Sequence, residues 1–67
     1  MTISIVLNGA PLETTAETLA ALTTELGLAG KRYAIEINGT LIPKSLHAEY
    51  ILHDSQKIEI VHAVGGG

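Results

Sequence analysis

Lys57-Ile58-Glu59-Ile60-Val61-His62-Ala63-Val64-Gly65-Gly66-Gly67 closes the chain, and the rest is read from it. Ile58 and Ile60 alternate with Glu59 and Val61, the period of a strand with one buried face. The strand runs straight into three glycines. A tail of this kind presents a main-chain carboxylate on a thin stalk, although a frayed end has the same composition. Glycine lets backbone approach backbone closely. Four extended residues reach about 13–14 Å, enough to carry Gly67 from a domain surface into a closed site.

Working outward, Ile3, Ile5 and Leu7 alternate with Thr2, Ser4, Val6 and Asn8 and predict a first strand. Asn8-Gly9 is a hairpin signal, and a short second strand follows over about Ala10 to Glu13. Pro11 places that strand at a sheet edge, because proline cannot donate to the ladder. Thr14-Thr15-Ala16-Glu17 has the form of a capping box with Thr14 as N-cap. Leu19, Leu22 and Leu26 then share one helical face, so a helix is expected over about Ala16 to Leu26. Gly27 suits the left-handed position beyond it, with Leu28 folding back onto Leu22. Tyr33, Ile35 and Ile37 mark a third strand. Asn38-Gly39 is a second hairpin turn, Thr40 to Ile42 a fourth strand, and Pro43 its end. Ser45 is a candidate cap for a short helical turn through Leu46 to Tyr50. Asp54-Ser55-Gln56 is turn-like.

One helix must bury its leucines on a sheet with one apolar face. The expectation is a two-layer α+β domain with a mixed five-stranded sheet on one main helix. The first and last strands carry the most isoleucine and are placed centrally, side by side and parallel. Residues 1–63 form the domain, and 64–67 a flexible glycine tail.

Composition removes several classes of function. The 67 residues include no cysteine, so there is no disulfide, no thiolate nucleophile and no thiolate zinc site. Only four Lys or Arg residues occur, and the net charge is −3. Without clustered cations there is no case for nucleic acid. The N-terminus lacks the pattern of a signal peptide, and no run approaches a membrane span, so a cytoplasmic protein with no membrane partner is expected. His47, His53 and His62 match no zinc spacing and are read as structural or solvated, with no metal. Asp54-Ser55 is similar to a phosphopantetheine site, but acyl carriers are helical and this chain is rich in strands.

Four stretches carry a family resemblance: Leu7-Asn8-Gly9; Leu22 through Glu25-Leu26-Gly27-Leu28; Ala34-Ile35-Glu36-Ile37-Asn38-Gly39; and Ile58 through Gly67. Together they span nearly the whole chain. It resembles the ubiquitin-like β-grasp proteins, and among them the ThiS-type sulfur carriers of thiamin biosynthesis. Asp54-Ser55-Gln56 stands where such proteins often have Asp-Gly-Asp. The resemblance implies that an E1-like adenylating enzyme activates the Gly67 carboxylate with ATP. Sulfur from a cysteine desulfurase relay then makes a thiocarboxylate, and thiazole synthase takes the sulfur. The carrier itself binds no cofactor and is not an enzyme. The tail residues Gly66, Gly65, Val64 and Ala63, with Val61 on the opposite face from Ile60, are the expected contact surface. Two other readings share the fold: the small subunit of molybdopterin synthase, and a ubiquitin-like interaction domain whose tail is never activated.

Overall fold

The computed structural model describes residues 1–62. The elements follow the order β1 (Ile3–Leu7), β2 (Ala10–Thr14), α1 (Leu19–Glu25), β3 (Tyr33–Ile37), β4 (Thr40–Ile42), a 3₁₀ turn (Lys44–Leu46) and β5 (Lys57–His62). The five strands form one sheet in the order β2-β1-β5-β3-β4. β1 and β5 are central and parallel, in the register Val6↔Lys57 and Leu7↔Ile58. The other neighbours are antiparallel. The sheet is therefore mixed, and Pro11 does lie on an edge strand.

The core is aliphatic. Ile5, Ile35 and Ile58 from the sheet and Leu19 and Leu22 from α1 are fully enclosed, with Leu28, Ile37, Ile42, Leu52 and Ile60 around them. Burying side chains of this size stabilises by about 1.5–3 kcal/mol each. α1 ends as expected. Gly27 has φ +73. Its N–H reaches the Thr24 carbonyl at 3.1 Å, and the Leu28 N–H reaches the Thr23 carbonyl at 3.0 Å. This is the Schellman arrangement, and it turns Leu28 into the core.

The start of α1 differs from the expectation. The N-cap is Thr18, whose hydroxyl accepts from the Ala21 N–H at 3.1 Å, and the helix spans seven residues. Thr14 instead completes β2 opposite Ile3. It is buried, donates to the Glu25 carboxylate at 2.9 Å, and accepts from the Ala16 N–H at 3.0 Å. That contact spans the whole helix, so a local motif could not reveal it. The Glu17 carbonyl accepts from the Leu52 N–H at 2.9 Å, which ties the segment before α1 to the chain before β5.

Ser45 does not cap a helix either. The short turn begins at Lys44 behind Pro43, which offers no side-chain cap. It continues through bonds from the Glu49 and Tyr50 N–H groups to the Leu46 carbonyl. The chain from Asp54 to Gln56 is a turn. Ser55 has φ +69, and its N–H donates to the Ser4 carbonyl at 2.7 Å.

Candidate functional site

The strand that leads into the glycines is held from both sides. On one side β5 pairs with β3 along its length, from Ile37↔Ile58 to Tyr33↔His62. On the other side β1 supplies only two register pairs before the chain turns away. The two hairpin asparagines extend the ladders, Asn8 on the β1 side and Asn38 on the β3 side. Asn8 and Gly9 have φ +48 and +83, and Asn38 and Gly39 have +50 and +85. Positive φ at both central residues is the signature of a type I′ turn, which matches the twist of the strands.

Each asparagine then does a second job. The Asn8 N–H donates to the Ile58 carbonyl at 2.9 Å, while its Oδ1 accepts from the Ile60 N–H at 2.7 Å. Asn8 thus bridges two residues of β5 as a parallel strand residue would. At the other end, the Asn38 N–H donates to the Lys57 carbonyl at 2.8 Å, and its Oδ1 accepts from the Lys57 N–H at 3.1 Å. Reading Asn-Gly as a turn is correct, but it misses this clamp. Nothing local in the sequence points an asparagine at a strand about fifty residues away.

Val61 lies where expected, on the face opposite Ile60, and is 60% exposed. Ala34, its partner on β3, is exposed on the same face. Beside them Glu36 opposes both Glu59 on β5 and Leu41 on β4, and Leu41 is exposed. The exposed face beside His62 is therefore mixed, with Val61, Ala34 and Leu41 set around the carboxylates of Glu36 and Glu59. The other expected contact residues, Ala63, Val64, Gly65, Gly66 and Gly67, lie outside the described residues, as does the expected domain boundary after residue 63.

His47 is buried, and its Nε2 lies 3.0 Å from the Ile42 carbonyl. Its ring stacks on Tyr33 at 6.2 Å, and the Lys44 ammonium sits 4.5 Å above the Tyr33 ring. These contacts give His47 a structural role, joining the turn after β4 to β3. His53 and His62 are exposed. Among the described residues no three His, Asp or Glu side chains group to hold a metal ion. On the core side of β5, Leu7, Asn8, Leu26, Leu28, Lys31, Ile60 and His62 line an open groove of about 250 Å³.

The model of the ThiS family matches residues 5–67, from the first strand through the terminal glycines. The chain belongs to the ThiS family. The mixed five-stranded sheet on one helix is the ubiquitin-like β-grasp fold that the sequence led one to expect. The crystal structure of the thiamine biosynthesis protein ThiS from Geobacter metallireducens has the same fold. Its TM-score is 0.81 at 23% identity, over 97% of this chain and 100% of that one. This chain is 41% identical over 66 residues to the uncharacterized protein ycf40 of Porphyra purpurea, covering 97% of this chain and 93% of that protein. It is 39% identical over 64 residues to a thiazole synthase of Paramagnetospirillum magneticum, covering 94% of this chain but only 20% of that protein. The chain thus spans about a fifth of the thiazole synthases it matches. Among the described residues no helix is long and apolar enough to cross a membrane.

Proposed function

We propose that this ThiS-family chain carries sulfur for the thiazole moiety of thiamin, and that the reacting group is the Gly67 carboxylate. The observation that carries the reading is a family match that runs without a break from β1 into the three glycines. The chemistry is consistent with it. The chain has no cysteine, so sulfur cannot be held as a side-chain thiol or persulfide, and an acyl group such as the main-chain carboxylate is the alternative.

A carboxylate has a poor leaving group and resists nucleophiles. In the proposed cycle a partner adenylating enzyme directs a Gly67 carboxylate oxygen at the α-phosphorus of ATP. Pyrophosphate leaves, and an acyl-adenylate forms. The outer sulfur of a persulfide relayed from a cysteine desulfurase displaces AMP to give an acyl disulfide. A thiol of the partner cleaves its S–S bond, leaving the thiocarboxylate and a disulfide on the partner. The net change is one oxygen exchanged for one sulfur, giving a thiocarboxylate, a softer nucleophile than the acid. Thiazole synthase then takes the sulfur and regenerates the carboxylate. The chain acts as co-substrate in the cytoplasm, and side-chain catalysis belongs to the partners.

Two relatives named thiazole synthase contain a stretch similar to this chain within a protein about five times as long. Joining two modules in one chain raises their effective concentration. The arrangement therefore favours the thiazole branch over the molybdopterin one. The test is intact-mass measurement after incubation with the adenylating enzyme, ATP and a sulfur source. A gain of one sulfur for one oxygen at Gly67 is expected. An unchanged mass under conditions that convert a known carrier would leave the chain an interaction domain.

A further inference from the structure

We infer that the side of β5 beyond Asn8, to which no other described residue bonds, is a strand-addition site for an extended, acidic segment of the enzyme that activates the tail. The inference rests on the carrier reading for the identity of the partner, and on the β5 main chain, the groove beneath it and the charge at its rim for the rest.

The first observation is the direction of the β5 main chain. The Ile58 carbonyl and the Ile60 N–H both face Asn8. Main-chain groups alternate sides along a strand, so the Ile60 carbonyl and the His62 N–H point the same way. β1 has already turned away, since its register with β5 stops at Leu7↔Ile58. Asn8 shows the spacing that fits: it donates to one residue of β5 and accepts from the residue two further on. The pair formed by the Ile60 carbonyl and the His62 N–H repeats that spacing. It would take one residue of an added strand running parallel to β5. Peptides that add to an open sheet edge gain affinity from such main-chain bonds and specificity from pockets for their side chains.

The second observation is the groove beneath that edge. Ile60 forms part of its lining, with Leu7, Leu26 and Leu28 beside it and Lys31 and His62 also contributing. Its volume of about 250 Å³ accommodates an aliphatic side chain of the added strand. The third is charge. The chain carries a net −3, yet the groove lining holds the cation Lys31 and no carboxylate among the described residues. A cation at the rim of an acidic protein's groove selects an acidic partner and steers its approach. The occupant is thus an extended segment with an apolar side chain for the groove and a carboxylate for Lys31. Its strand would lie next to the root of the tail and fix the direction in which the glycines enter the enzyme.

The experiment is amide hydrogen exchange at single-residue resolution, with and without the adenylating enzyme. The Val61 N–H faces β3 and serves as the internal reference, protected in both states. The His62 N–H should exchange freely in the isolated chain and slow by at least tenfold in the complex. Lys31→Glu should weaken binding about fivefold or more at low salt and little at high salt. A synthetic chain with an ester in place of the Val61–His62 amide lacks that one donor and should bind more weakly with an unchanged Tm. If the wild-type chain is thiocarboxylated but the His62 N–H gains no protection, the strand-addition site is wrong and the carrier reading stands. If the enzyme neither binds nor converts the wild type, both readings fall. Protection that appears in the isolated chain and grows with its concentration would assign the edge to a second copy and overturn the proposal.

Discussion

Asn8 sits at φ +48 and closes the ladder to Ile60 through its side chain, so its two roles can be separated by substitution. Asn8→Gly keeps the turn and removes only the bond, leaving a part-buried Ile60 N–H unsatisfied at a cost of about 1–3 kcal/mol. Asn8→Ala should cost about 1–2 kcal/mol more, because alanine resists the left-handed region. Urea unfolding of the two proteins measures the difference, and an Asn8→Gly protein as stable as wild type would remove the clamp from the argument. Ser55 offers the opposite test. Its φ of +69 lies in the left-handed region that favours glycine. Ser55→Gly should therefore stabilise the domain by about 0.5–1 kcal/mol, the relief of strain exceeding the added freedom of the unfolded chain. A lower urea midpoint for this variant would contradict that.

At the level of elements, the short helix depends on its ends. Thr18→Ala removes the hydroxyl that meets the Ala21 N–H and should cost about 1 kcal/mol. Glu17→Ala, which a capping box at Thr14 would make costly, should change stability by less than about 0.5 kcal/mol. Thermal unfolding of both variants decides between the two starts of α1. The contrast also shows what the sequence can and cannot carry. Strand positions, both Asn-Gly turns and the Gly27 ending were legible because each rests on neighbours within a few residues. The parallel β1–β5 pair was legible from isoleucine content alone. The helix start was not, because Thr14 is claimed by Ile3 and Glu25, partners eleven residues away. Of the candidate contact residues, the described structure reaches Val61, whose exposed face was legible from the alternation with Ile60. The asparagine clamp and the groove at Lys31 are made by residues about twenty to fifty positions apart and leave no local trace.

For the molecule as a whole, fold and tail are expected to separate cleanly. One alanine appended after Gly67 moves the carboxylate by about 3.3–3.6 Å. A misplacement of about 1 Å can cost on the order of 100-fold in rate. The extended protein should keep its Tm and lose thiocarboxylate formation, and Gly66→Val should do the same by crowding a narrow channel. Mass spectrometry of each variant after incubation checks both, and conversion at the wild-type rate would release Gly67 from its role. The core has little margin. A 67-residue domain holds about 3–10 kcal/mol in all, and Ile58→Ala would remove about 2–5 of them. Ile58 belongs to the strand that is made last yet lies in the middle of the sheet. During synthesis β1 and β2 on one side and β3 and β4 on the other have no strand in common until β5 emerges. Pairings between the two ends of a chain are slow to form. A nascent chain that stops before β5 should thus stay unfolded and open to proteases. A folded domain is therefore one whose synthesis has passed β5, so the sheet itself proofreads the chain against truncation upstream of that strand.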